Sequence, residues 1–243
     1  MGEVLSQPQE TYETLWREAM EAFDGCGPRI DPFLTDRAGD KRRGVTLIAR
    51  PDPDAQARIE KFVRQIAVIA GDQYFYRPEE FHVTVLSVIP GNELWQESIK
   101  KLPDYIAVLD KALKGRPGFS LEFRGVTASR DAIMIQGFPV GNELATLRDD
   151  LRQALSQKGL GDSLDRRYKI VAAHLTCIRF AKPMPEWKTL KTFLAHHRNM
   201  KFGTTQVRSL QLIEGDWYAS LDSVRTLREY PLSDPPSLQN FDS

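Results

Sequence analysis

The sequence is short of several things, and each shortage excludes something. The 243 residues contain only two cysteines, Cys26 and Cys177, far apart in the chain. Two isolated thiols supply neither a disulfide framework nor a Cys-rich zinc motif, and a reducing cytoplasm is the expected setting. An excess of charge of one sign is also lacking, since 33 basic residues balance 33 acidic ones. No global positive field is available to hold a long polyanion, so any contact with nucleic acid must be local. No stretch reaches the roughly 18 apolar residues of a membrane-spanning helix. Glu3, Glu10, Glu13 and Arg17 interrupt the region where a secretory signal needs an apolar segment. There is no P-loop, no dinucleotide-binding glycine fingerprint and no Gly-x-Ser-x-Gly elbow. What remains is 41% hydrophobic and 27% charged residues, the composition of a globular chain with a well-buried core. A soluble monomer with no membrane association is expected.

Residues 9–24 place Tyr12, Leu15, Trp16, Ala19 and Phe23 at helical spacing, and Gly25, Gly27 and Pro28 end the pattern. Residues 1–43 are read as an N-terminal extension with a helix, leaving 44–243 as one domain. That domain opens with a β-branched strand, Val45–Ala49, followed by a helical pattern of Ile59, Phe62, Val63, Ile66 and Ala70. A strong strand, Phe81–Ile89, stops at Pro90-Gly91. A helix over 92–114 and a strand over Phe119–Val126 complete the first unit. The order then recurs: a strand over Ala132–Pro139, a helix over 142–158, a strand over Ile170–Phe180, a helix over 185–198 and a strand over Val207–Ile213. The 142–158 helix carries Leu144, Leu147, Leu151 and Leu155 on one stripe, with Asn142 as N-cap and Gly159 beyond its end. A last extended segment covers Trp217–Leu227. The repeat units are thus about 44–127 and 131–213, separated by roughly 90 residues. Gly-Asn-Glu-Leu occurs at 91–94 and at 141–144 in different places of the two units, and reads as two similar helix starts.

Two of the four histidines stand in equivalent strands, each two residues before a threonine: His82-Val83-Thr84 and His174-Leu175-Thr176. Residues i and i+2 of a strand share a face, so each triplet presents an imidazole and a hydroxyl side by side. Val83, Val85, Leu175 and Cys177 then point into apolar surroundings, and Cys177 reads as a small core residue rather than a nucleophile.

The sequence resembles the two-histidine (2H) phosphoesterase superfamily, which includes the LigT-like RNA cyclic phosphodiesterases and 2′-5′ RNA ligases. The resemblance rests on His82-Val83-Thr84-Val85-Leu86, on His174-Leu175-Thr176-Cys177-Ile178-Arg179 and on the closing strand near Ser209-Leu210-Gln211-Leu212. It covers roughly residues 44–230. It implies an α+β, bilobal fold: two antiparallel sheets with pseudo-twofold symmetry, helices outside, and both motifs lining one central cleft. It also implies a phosphodiesterase that opens a cyclic phosphate or a 2′-5′ phosphodiester of a nucleotide or short RNA end, with ligation as the reverse. Such chemistry needs a base to activate water and an acid to protonate the departing ribose oxygen. Imidazoles suit both tasks near neutral pH, and the threonine hydroxyls can donate to the non-bridging phosphate oxygens. No metal and no cofactor is required. The sequence does not fix which histidine is which; the reading adopted takes His174 as base and His82 as acid in hydrolysis. A binding module with the same cradle but no turnover is the alternative, and a metallohydrolase lacks an evident third ligand.

Arg179 is a candidate phosphate ligand, although strict alternation puts it on the face opposite His174. Tyr76 and Tyr168 are candidate substrate contacts. The former belongs with Tyr74 and Phe81 to an aromatic cluster suited either to base stacking or to the core; the latter sits with Arg166 in a basic turn. Trp217 carries the same ambiguity. His196-His197 reads as a helix C-terminal cation pair, and Glu79-Glu80 and Asp149-Asp150 as solvated surface.

Overall fold

A computed structural model describes residues 6–92, 95–162, 164, 169–184 and 186–234. Six helices and nine strands are described: α1 Gln7–Gly25, β1 Arg43–Ala49, α2 Pro53–Ala70, β2 Tyr74–Phe75, β3 Val83–Asn92, α3 Trp95–Ile99, α4 Leu102–Leu113, β4 Phe119–Ser129, β5 Ala132–Val140, α5 Glu143–Gln157, β6 Leu175–Arg179, α6 Trp187–His196, β7 Lys201–Val207, β8 Ser209–Asp216 and β9 Arg225–Pro231. Local chemistry sets the helix bounds. Asp52 accepts a hydrogen bond from the Ala55 N–H ahead of Pro53, and Gly71, at φ 64°, closes α2. Among the described residues no helix is long and apolar enough to cross a membrane.

The strand order is β7-β4-β5-β6-β3-β1-β8-β9, with β2 beside β6, and every pairing between these strands is antiparallel. Read from its centre outward the order is symmetric: β3, β1, β8 and β9 on one side answer β6, β5, β4 and β7 on the other. The two antiparallel lobes expected from the sequence are present and are joined into one sheet by a single pairing, Val83 with Leu175. Each sequence unit also lends its closing strand to the other lobe, because β4 pairs with β5 and β8 pairs with β1. α2 and α6 pack near β7 through Phe62, Phe193 and Phe202, whereas α5 packs against α4 and β3.

Several expected elements differ in extent. The 92–114 helix is two helices, and Pro103, which lacks an N–H, sits in the first turn of the second. The Val207–Ile213 strand is a junction: Val207 ends β7 opposite Phe119, Ser209 begins β8, and the chain passes between lobes at Arg208. The Ile170–Phe180 strand shrinks to five residues that begin just after His174. Trp217–Leu227 is mostly a turn. The Asp216 carboxylate accepts from the N–H groups of Tyr218 and Ser220 and from the Ser220 hydroxyl, and this local capping displaces a sheet ladder. Gly91 and Asn92 are the end of β3 rather than a helix start, while Glu93 and Leu94 lie outside the described residues.

The N-terminal segment is built into the sheet. The Tyr12 hydroxyl donates to the Gly137 carbonyl at 2.9 Å and accepts from the N–H groups of Gly137 at 3.2 Å and Ala173 at 3.1 Å. Burial pushes its pKa up to about 12, so the phenol stays neutral and keeps its donor.

Candidate active site

The Val83–Leu175 pairing, continued one residue either way, sets His82 across from Thr176 and Thr84 across from His174. Each motif strand then carries a β-bulge at the same point. Against β1, Thr84 pairs with Ile48 and Leu86 with Leu47, leaving Val85 as the extra residue. Against β5, Thr176 pairs with Met134 and Ile178 with Ile133, leaving Cys177 as the extra residue. An extra residue reverses the alternation of side chains. Both strands therefore show the same burial pattern, with Thr84 and Ser87 partly open on one and Thr176 and Arg179 on the other. The parity objection to Arg179 is thereby removed: the bulge at Cys177 turns it to the histidine face. The same shift turns Ser87 inward, and Ser87 was not anticipated from sequence.

His82, Thr84, Ser87, His174, Thr176 and Arg179 all line one cavity of about 250 Å³. Thr46, Tyr76 and the Asp216–Ala219 turn complete much of its wall. Sequence reasoning misses Asp216 and Tyr218, because a turn that folds back over a sheet leaves no periodic signal; of this turn it singles out Trp217 alone. Behind this turn, Arg37 lies over the rings of Tyr74 and Tyr218 at 4.6 and 5.3 Å, and Arg42 lies over Trp217 at 4.9 Å.

The two histidines are held differently. The His82 Nδ1–H donates to the Glu80 carbonyl at 2.7 Å, and Arg50 ties the carbonyls of Glu79 and Phe81 beside it. His174 Nδ1 is buried and finds no hydrogen-bond partner among the described residues. With Nδ1 turned to protein in both rings, the Nε2 edges are left for the cavity. Burial holds both imidazoles down at about 4, with Arg50 and Arg179 adding to the effect on His82 and Arg179, Arg148 and His82 on His174. Only His82 has groups that favour its charged form, the Glu80 carbonyl and, through its charge, the Glu80 carboxylate.

Arg179 donates through Nε to the Tyr76 hydroxyl at 3.1 Å and lies 5.6 Å from the Tyr218 ring centroid. Burial alone would lower the pKa of this guanidinium, but the Tyr76 hydroxyl and the carboxylates of Asp131 and Asp31 raise it. Tyr76 is only 4% exposed, so its ring offers no open face for stacking; the residue belongs to the cavity wall and its hydroxyl steadies Arg179. Phe81 is fully buried. Tyr168 and Arg166 lie outside the described residues. Glu80 is not solvated surface: its buried carboxylate accepts from the Arg77 and Leu221 N–H groups and the Tyr74 hydroxyl. Cys177 is buried, and burial pushes its thiol pKa up. His196 and His197 close α6, where His197 stacks on Phe193 and contacts its carbonyl, and among the described residues no cluster of three metal-ligating side chains occurs.

Comparison with known proteins agrees with this geometry. No curated protein matches the sequence. Among solved structures, TT0787 of Thermus thermophilus superposes with a TM-score of 0.59 at 15% identity, covering 79% of this chain and 98% of that one. Escherichia coli LigT complexed with ATP gives 0.50 at 12% identity, and the same protein complexed with 3′-AMP gives 0.50 at 13%, each over 79% of this chain and 98% of LigT. At such identities the likeness establishes the fold. A family model does more, because the one described as the AKAP7 2′5′ RNA ligase-like domain matches residues 51–222. That span holds both motifs and most of the cavity wall, and the chain belongs to this family of LigT-like two-histidine phosphoesterases.

Proposed function

We propose that the protein is a metal-independent phosphodiesterase that opens a cyclic phosphate, or a 2′-5′ phosphodiester, at the end of a nucleotide or short RNA. The observation that carries this reading is that both His/Thr pairs, from strands joined at Val83 and Leu175, line one small cavity together with Arg179. Phosphorus sits between the two Nε2 edges. His174 takes a proton from water as the water oxygen bonds to phosphorus, and His82 gives its proton to the ribose oxygen as the P–O bond breaks. The product is a phosphomonoester, and the net proton balance is zero once the pair exchanges its proton with solvent. Thr84, Thr176 and Arg179 donate to the non-bridging oxygens, whose charge is stabilised in the transition state.

The acid role goes to His82 because the Glu80 carbonyl accepts from its Nδ1–H and so supports the imidazolium. His174, whose Nδ1 has no such partner among the described residues, is the ring that starts neutral and takes a proton only as water attacks. By themselves both rings are neutral at pH 7, and a bound anion supplies the opposite charge that draws one proton onto the pair. Balanced net charge and a cavity of about 250 Å³ favour a nucleotide or a short end over folded RNA. The complexes of E. coli LigT with ATP and 3′-AMP are nucleotide complexes of a protein of the same fold.

The test is incubation with a panel of nucleoside 2′,3′-cyclic phosphates, with and without a chelator. Ring opening unaffected by chelator is expected, with a loss on the order of 10³-fold in His82→Ala and in His174→Ala. A nucleoside p-nitrophenyl phosphodiester, whose leaving group needs no proton, should recover much of the activity of His82→Ala only. Binding without product would leave a non-catalytic nucleotide module, and activity abolished by the chelator would overturn the metal-free chemistry.

A further inference from the structure

We infer that Arg148, on α5, is a positioning residue that fixes the separation of the His82–Thr84 strand from the His174–Thr176 strand. The inference rests on the phosphoesterase reading above. The sheet is at its thinnest between these strands, where β3 and β6 share the single pairing of Val83 with Leu175. Arg148 spans the gap that opens beside it. Its Nη2 donates to the Thr84 carbonyl at 2.8 Å and to the Ala172 carbonyl at 3.0 Å, so one nitrogen joins both strands. Nε donates to the Val85 carbonyl at 2.9 Å and Nη1 to the Val171 carbonyl at 3.0 Å. Two acceptors come from each side, within three residues of both histidines.

Burial makes this bracket stiff. Arg148 is 3% exposed on a stripe with Leu144, Leu147, Leu151 and Leu155. A desolvated guanidinium keeps its N–H groups satisfied or is strongly destabilising, so the carbonyls cannot drift away. The first bulge depends on the bracket. Val85, the extra residue there, gives its carbonyl to Arg148, whereas the carbonyl of Cys177, the extra residue of the second bulge, accepts from the Tyr76 N–H. The charge of Arg148 also reaches His174, which faces Arg179 and His82 as well, and it adds positive potential behind the phosphate position. Lysine cannot reproduce the arrangement, because one ammonium lacks the planar fork that reaches four acceptors at once.

The full-length chain carrying Arg148→Lys, Arg148→Met or Arg148→Ala is compared with the parent by circular dichroism, thermal melting and turnover of a nucleoside 2′,3′-cyclic phosphate. For a folded Arg148→Lys chain, kcat is expected to fall about 10- to 100-fold with KM within about threefold, the signature of misplaced reacting groups. Guanidinium ion added to Arg148→Ala should restore part of that loss. A readout independent of turnover is the imidazole NMR titration, with and without inorganic phosphate. Removal of Arg148 should raise the titration point of His174 more than that of His82, which faces Arg50, Arg179 and both the carbonyl and the carboxylate of Glu80, and should weaken phosphate binding. Parental kcat in a folded Arg148→Lys chain, a loss matched by the unfolded fraction, or failure of every variant to fold would overturn the positioning role. If the parent turns over no cyclic phosphate, the phosphoesterase reading fails, and the NMR comparison still decides whether Arg148 governs His174.

Discussion

The two motif strands share a backbone and differ in what hangs from it. Both run His-x-Thr, both bulge at the next residue, and both turn a sixth residue into the cavity. That sixth residue is Ser87 on one strand and Arg179 on the other. His82 rests on the Glu80 carbonyl, whereas His174 has no comparable support among the described residues. On the proposed reading, a symmetric backbone sets two imidazoles around one phosphorus. The proposed reaction is not symmetric, because one side would receive water and the other would lose a ribose oxygen. On that reading the roles are assigned by what surrounds the shared strands, above all the Glu80 carbonyl that His82 has and His174 lacks.

The largest effect expected from this contrast lies at the sixth positions. Arg179→Met removes a steadied guanidinium from the proposed phosphate site, and a loss of about 100-fold in kcat/KM, or about 2.7 kcal/mol, is expected. Ser87→Ala at the equivalent place should change kcat/KM less than about threefold. Steady-state kinetics on one cyclic nucleotide compare the two. Equal losses would break the comparison, since charge would then not be what separates the halves.

A smaller effect follows from the histidines themselves. Both titrate at about 4 in the folded protein, against about 6.5 in an unfolded chain. Between these values the unfolded chain binds protons that the folded one does not, so stability falls as pH drops from 6.5 towards 4 and is complete above 6.5. Because the cavity is open on one side, the stability lost is about 2 kcal/mol per histidine. Urea midpoints across this range should fall less steeply in His82→Gln and in His174→Gln. Phosphate should flatten the parent's slope as well, by favouring the charged pair. A slope untouched by either substitution would mean that neither ring is desolvated as described.

Much of this was legible in the sequence, for identifiable reasons. Local periodicity gives the helices their places, and the α5 stripe runs as its leucines indicate. The repeated His-x-Thr places four site residues because i and i+2 alternation is a short-range property of a strand. What alternation cannot carry is a bulge, which is visible only against the partner strand. Arg179 therefore looked misdirected and Ser87 went unnoticed. The sheet's exchange of closing strands was equally hidden, since Val207 and Ser209 are two residues apart in sequence and belong to different lobes. Arg148 did leave a signal. It follows Leu147 and stands four residues after Leu144, a cation on an apolar stripe, and a residue of that kind must find buried acceptors.

The smallest effect tests whether the two halves are braced separately. Tyr12 reaches only the His174 side, where its hydroxyl holds Gly137 and the N–H of Ala173, next to the histidine. The His82 side is braced instead by Arg50 and by the loop that Glu80 organises. Tyr12→Phe keeps the ring and leaves two buried N–H groups without their acceptor, so a loss of about 1–2 kcal/mol in stability is expected. If the braces are independent, amide exchange should quicken at Gly137 and Ala173 while Val83 and Leu86 stay protected. Turnover should fall less than tenfold, because the Val83–Leu175 pairing and the second bulge remain. Quickened exchange on both strands would instead mean that the motifs open as one unit, and that the symmetry of the backbone extends to its dynamics.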